Sequence, residues 1–478
     1  MGFHLQEATI QEIRQAFASG ELTSRRLTLM YLERIAEFDK AGSSLNSVLE
    51  LNPDALYIAE ALDLERAEGR IRGPLHGIPV LLKDNINTAD KMHTSAGTLA
   101  LADSFAPEDA FLVKRLREQG AVIIGKANMT ELANFMSDVM PSGYSSRGGQ
   151  VLNPYGPGKF DPGGSSTGSA VAVAANLCTV AVGTETSGSI LDPACCNSIV
   201  GIKPTLGLIS RTGICPITYT QDTAGHLART VEDAAILLEA MTGIDPEDPE
   251  TWASRGREPS DYRSCLDPSG LAGARICINR GYEEEFTAEE KALIDQCIRR
   301  MEEAGAEIVE HIDLPHIADH SCVLLYEFKS ALNRYLAALD PRLPVKSLRD
   351  IIEFNNYHAE EALKYGQSLL LRAEHDTSGT LTEAQYIRDR LQDWRRSREE
   401  GIDRLLQEYS LDALFCPGVT DSPAVSGYPS IIVPAGFTET GKPFGVAFTG
   451  TAYSESTLIR IAYSFEQRVN ARIPPILE

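Results

Sequence analysis

With 478 residues, 43% hydrophobic and 23% charged, the chain is longer than one compact core usually needs and can bury a large interior, which excludes wholesale disorder. Its 44 Lys+Arg against 67 Asp+Glu leave a net charge of -23, a balance that argues against direct binding of nucleic acid or of an anionic membrane. Nine cysteines, none in a CxxC pair, exclude a zinc knuckle and a thioredoxin-like site, and their scatter reads as reduced thiols in a cytoplasm.

The first seventy residues read as helices: Thr9 and Glu12 form a T-x-x-E capping box, and amphipathic patterns follow from Ser24 and from Asp54. The opening stretch, with Glu7 and Glu12, holds no apolar run long enough for a signal peptide. PLHGIPVLLKDNI, 74–86, is expected to be a strand, because its apolar run is too short for a helix. A helix from Asp109 to Glu118, a stop at Gly120 and the strand AVIIG, 121–125, make the next unit. The small-residue tract Ser169 to Leu177 suits a tightly packed helix feeding the strand TVAVGTE, 179–185. The wider apolar tract Ala170 to Val182 is broken by Asn176 and falls short of the roughly 20 residues a membrane span needs. Thr230 with Asp233 signals another helix, closed by Gly243. DPEDP behind it reads as an exposed connector and residues 257–273 as a linker. After the strand ARICINR, 274–280, the chain turns helix-rich through Tyr409, and three apolar runs and a last helix from Ser454 finish it. Alternation of strands and helices at both ends predicts one large α/β domain with a mixed, mostly parallel twisted sheet and a helical insertion in the second half.

The stretch GGSSTGS, 163–169, permits several chemistries. It is not a P-loop, since Ser169 stands where the lysine must be. GSSTG fits the G-x-S-x-G nucleophile elbow with Ser166 at its centre, but KFDPGG before it is a turn rather than the strand an elbow requires. The plain alternative is a tight turn with Ser165 or Ser166 capping the next helix. His316 and His320 are four apart, yet they do not complete H-E-x-x-H, and no metal is expected there.

A second segment, GTETSGSILDPACCNSIVGIKPT at 183–205, changes the balance. Together with GIPVLLKDNI, GKANMTELAN, QDTAGHLARTVEDAAILL, GYPSIIVPAGF and GKPFGVAFTG, it makes nearly the whole chain resemble the amidase signature family. The resemblance implies a single α/β domain whose sheet is covered by helices on both faces. Its parts would be a helical segment at 1–70, a catalytic core at 71–245, a helix-rich insertion at about 285–410 and a return to the sheet at 411–478. It also implies a triad of Lys83, Ser165 and Ser189, with a cis peptide bond from Gly164 into Ser165. Lys83 would be a neutral general base, Ser165 a proton relay and Ser189 the nucleophile that forms an acyl-enzyme. Thr186, Ser187, Gly188 and Ser189 would form the oxyanion hole, and Met136, Ser137 and Tyr144, with the segment 427–429, the pocket wall. No metal or organic cofactor enters, the substrate would be a small-molecule or peptide amide, and a homodimer is possible.

Thr167, Ser187 and Leu191 depart from the family's commoner glycine, glycine and arginine. The sequence is more similar to the peptide amidase-like branch than to the glutamine-hydrolysing subunit of a tRNA amidotransferase, which would need two partner proteins. A non-catalytic amide-binding scaffold is the third reading, although no triad residue is lost.

Overall fold

The computed structural model describes residues 2–257, 261–278, 286–310 and 321–478. Its centre is an eleven-stranded mixed sheet in one large α/β domain. The strands are β1 Val48–Leu51, β2 Pro79–Lys83, β3 Val122–Ala127, β6 Val180–Glu185, β7 Val200–Lys203, β8 Thr223–Ala228, β9 Arg275–Ile278, β10 Glu307–Val309, β11 Ala413–Pro417, β12 Ser430–Phe437 and β13 Pro443–Thr449. A separate two-stranded ribbon pairs β4 Tyr144–Ser145 with β5 Gly149–Gln150. The order across the sheet is β1-β3-β2-β6-β8-β7-β12-β13-β11-β9-β10.

Parallel ladders lie in two blocks, β3-β2-β6 and β11-β9-β10, and antiparallel ladders join them. Strand–helix alternation foresees the parallel blocks. The antiparallel middle comes from the β12–β13 hairpin and from the excursion 204–222, which returns β8 beside both β6 and β7. Strands β2, β3, β6, β7 and β8 are buried along their whole length, as strands covered by helices on both faces must be.

Local chemistry sets the elements around this sheet. The Thr9–Glu12 capping box forms as expected ahead of the helix Ile10–Ser19, and Gly20 closes it in the left-handed region at φ +76°. The short strand β1 falls inside the seventy residues read as helical; it pairs antiparallel with β3 at the sheet edge. The alanine-rich helix Thr167–Ala174 is buried at every position. Gly168 admits it there: a Cβ at 168 would collide with the carbonyl oxygens of both Asn128 and Ser47.

The connector behind Gly243 is exposed at Pro246, Glu247 and Pro249, as expected, and is anchored by its two aspartates. Asp245 and Asp248 are buried, Asp245 accepting from Ser210 Oγ at 2.5 Å and Asp248 from Arg211 Nη2 at 2.6 Å. The expected linker 257–273, where it is described, is exposed at Ser264, Pro268 and Ser269 and is pinned inward at Tyr262 and Leu271, both buried. His316 and His320 lie outside the described residues.

Candidate active site

Lys83 ends β2, a strand whose five residues are all buried, and its side chain is itself fully buried. Because β2 runs parallel to β6, the Lys83 amine meets the end of that neighbour: Nζ lies 3.1 Å from the Thr184 carbonyl oxygen. It also lies 2.8 Å from Ser165 Oγ and 3.0 Å from Ser166 Oγ. The peptide bond from Gly164 into Ser165 is cis.

The hydrogen-bond inventory around this amine assigns its lone pair. Ser166 Oγ donates to Thr184 O at 3.0 Å and accepts from Thr184 N–H at 3.1 Å, so its proton is committed. A neutral amine has two N–H groups and one lone pair. With Thr184 O able only to accept and Ser166 Oγ left only to accept, the lone pair falls to the Ser165 hydroxyl. Burial supplies the neutral form: it pushes Lys83 down from 10.5 to about 7, while the Asp222 and Glu185 carboxylates pull the other way.

Ser166 thus stands at the start of the helix 167–174 without a side-chain cap bond, its hydroxyl spent on Thr184 and Lys83. That arrangement takes it out of both roles the turn sequence allowed, cap and elbow nucleophile.

Ser189 is buried on the loop after β6, and its carbonyl accepts from Ser166 N–H at 3.2 Å, which ties the two serine-bearing segments together. Among the described residues no hydrogen bond joins Ser165 Oγ to Ser189 Oγ. The structure brings Lys83 and Ser165 into contact and draws Ser189 alongside through the backbone.

The loop that carries Ser189 is held by three carboxylates, of which Glu185 is buried and Asp421 exposed. Glu185 Oε2 accepts from Ile190 N–H at 2.7 Å and from Leu191 N–H at 3.1 Å, and it also draws on the Gly188 N–H. Burial raises the Glu185 carboxyl, and the buried Lys203 ammonium opposes the rise. Asp222 accepts from Thr186 Oγ1 at 2.6 Å, and Ser187 Oγ donates to Asp421 Oδ1 at 2.8 Å. Of the four expected oxyanion donors, Gly188 is turned toward Glu185. The backbone N–H groups of Thr186, Ser187 and Ser189 donate to no protein acceptor among the described residues.

The turn that carries Ser165 is fastened as firmly. Gly163 N–H donates to Asp161 Oδ1 at 2.8 Å, Gly164 N–H to Asp192 Oδ2 at 2.9 Å, and Asn197 Nδ2 to Pro162 O at 2.8 Å. Thr130 N–H donates to Ser165 O at 3.1 Å. Glu185, Asp192, Asn197 and Asp222 were absent from the sequence-derived site. A carboxylate just ahead of a glycine turn and a short helix, as at Glu185, is the one signal that could have flagged a member of this set, because it meets exposed helix N–H groups.

A cavity of about 670 Å³ opens beside this loop, lined by Asn85, Thr184, Thr186, Tyr219, Asp222 and Tyr335 among others. Met136, Ser137 and Tyr144 do not line it. Met136 is fully buried, Ser137 Oγ donates to Tyr365 O at 2.7 Å, and Tyr144 packs edge-on against Tyr365 with ring centroids 4.8 Å apart. No helix among the described residues is long and apolar enough to cross a membrane.

Known proteins resemble this chain over nearly its whole length. The amidase family model matches residues 26–425. A peptide amidase from Stenotrophomonas maltophilia is 46% identical, with a TM-score of 0.94 over 99% of this chain and 99% of that one. A probable amidase of Arabidopsis thaliana is 43% identical over 99% of this chain and 92% of its own length. One component of the glutamyl-tRNA(Gln) amidotransferase of Chelativorans sp. (strain BNC1) is 36% identical over 97% of this chain and 97% of its own length. The chain belongs to the amidase family and is a hydrolase of amide carbon–nitrogen bonds.

Proposed function

We propose that the chain hydrolyses a carboxamide to a carboxylate and ammonia or an amine through an acyl-enzyme on Ser189. A serine hydroxyl is a weak nucleophile near neutral pH and needs a base as it attacks. The observation that carries the reading is the buried, neutral-tending Lys83 amine, whose lone pair falls to Ser165 Oγ on a turn tied to the Ser189 loop. Ser189 Oγ attacks the carbonyl carbon while its proton passes through Ser165 to Lys83. The tetrahedral oxyanion is met by the unengaged N–H groups of Thr186, Ser187 and Ser189, each such donor being worth roughly 3 to 4 kcal/mol in a preorganised site. The C–N bond then breaks as Lys83 returns the proton through Ser165 to the leaving nitrogen. Water repeats the sequence on the ester and frees Ser189. This requires a small rotation of the Ser189 hydroxyl toward Ser165 when substrate arrives, since catalytic contacts tighten in the bound complex.

The acyl pocket in this reading is the cavity beside the Ser189 loop, not a wall made by Met136, Ser137 and Tyr144. A free-standing amidase is favoured over a component of a tRNA amidotransferase by the 46% identity to the peptide amidase against 36% to the amidotransferase chain. Retention of all three triad residues speaks against a scaffold. A fluorophosphonate probe tests the nucleophile: wild type is expected to label and to release ammonia from simple amides, and Ser189→Ala to do neither. Equal labelling of both proteins would overturn the assignment.

A further inference from the structure

Asp192 belongs to the nucleophile segment by its backbone and to the relay turn by its side chain. Its N–H donates to Gly188 O at 2.7 Å, closing the turn that presents Ser189. Its Oδ2 accepts from Gly164 N–H at 2.9 Å, one residue ahead of Ser165. Its Oδ1 faces the Cys196 thiol, with Sγ at 3.7 Å. Backbone follows closely: a Cβ on Gly163 would stand 2.7 Å from Pro193 Cα and 3.0 Å from Asp192 O, so the two segments touch with no room for adjustment. The remaining side-chain ties to the turn end at Pro162 and Gly163, further from the relay serine.

We propose that Asp192 is a positioning residue for the reaction: by holding the Gly164 N–H from the segment that carries Ser189, it fixes the Ser165 hydroxyl relative to Lys83 and Ser189. The inference rests on the triad reading above. A relay serine works only if its oxygen stays within hydrogen-bond reach of two partners at once, and a misplacement of about 1 Å in such a site can cost 100-fold. The peptide unit before Ser165 is therefore the one whose orientation matters most. The carboxylate is also an apt acceptor near neutral pH. Burial pushes Asp192 up to about 6, the Gly164 N–H and the Cys196 thiol oppose that, and the Asp161 and Glu185 carboxylates add to it.

Three variants test the proposal against amide hydrolysis and fluorophosphonate labelling. Asp192→Leu and Asp192→Cys, which lack a strong acceptor, are expected to lower kcat at least tenfold with KM within twofold of wild type. The rate of Ser189 labelling should fall by the same factor. Asp192→Asn keeps an amide oxygen for the Gly164 N–H and should retain at least a third of kcat. A folded Leu or Cys variant with unchanged kcat would overturn the proposal, as would a loss carried by KM, or an Asn variant as impaired as the other two. Ser189→Ala, assayed alongside, separates the two levels: if it is inactive while Asp192→Leu and Asp192→Cys keep the wild-type kcat, only the positioning role fails; if it remains active, the triad reading itself fails.

Discussion

Lys83 shows how one side chain acquires its chemistry from its neighbours. In the neutral amine its two N–H groups are spoken for by Thr184 O and Ser166 Oγ, so under the proposed mechanism the proton would reach it by way of Ser165. With the ammonium pushed down to about 7, only the unprotonated fraction is competent, and activity must be lost as pH falls through that value. The expected profile of log kcat/KM rises with a slope near one up to about pH 7 and then levels. Lys83→Ala should lower kcat/KM at least 100-fold and abolish that limb, as steady-state rates across pH 5 to 9 would show. Lys83, Ser165 and Ser189 were singled out in the sequence because their spacing matched a known pattern, and the contact of Lys83 with Ser165 is the part of that set the structure displays. Ser166, Asp192 and Glu185 were not, since what each does depends on which buried partner it meets: Ser166 and Thr184 are eighteen positions apart in the chain, and Gly164 and Asp192 twenty-eight.

One helix of the second half grips the loop that runs up to Asp222 through a carboxylate. On the helix Val323–Ala337, buried Glu327 accepts from Tyr219 N–H at 2.8 Å, from Thr220 N–H at 3.1 Å and from Tyr386 OH at 2.8 Å. The loop it grips runs on to Asp222, which accepts from Thr186 Oγ1. Removing a buried acceptor leaves its donors unpaired, at about 1 to 3 kcal/mol. Glu327→Ala is therefore expected to lower the melting temperature by several degrees and kcat/KM three- to tenfold, with Glu327→Gln showing less of both, as calorimetry and steady-state kinetics would check. The helices themselves were legible from amphipathic spacing. Their purpose was not, because the contacts that define it span 107 and 108 residues and leave no local pattern. Short elements suffered likewise: β1 has four residues and lies among helices, too brief for its alternation to be read.

Across the whole molecule, the sheet makes one cooperative object from distant stretches of chain. At its interior, His226 on β8 lies between β6 and β7, paired in register with Val182 and Ile202, and is fully buried. Burial pushes its imidazole down from 6.5 to about 3, with the Ile202 backbone opposing. Between those values the unfolded chain binds a proton that the native state refuses, so stability falls as pH drops from about 6.5 toward 3, at up to about 1.4 kcal/mol per pH unit. Urea unfolding at pH 7 and pH 4.5 should therefore show a loss in wild type that is smaller in His226→Leu. The α/β class and the mixed sheet were readable from alternating elements, whereas the strand order was not, because β7 pairs with β12 more than 220 residues later. That last pairing has a consequence for synthesis. Until residues 430–449 leave the ribosome, β7 offers a bare row of hydrogen-bonding groups immediately after the segment that carries Ser189. The nascent amidase must shelter that edge, or surrender it to a chaperone, for nearly half of its translation.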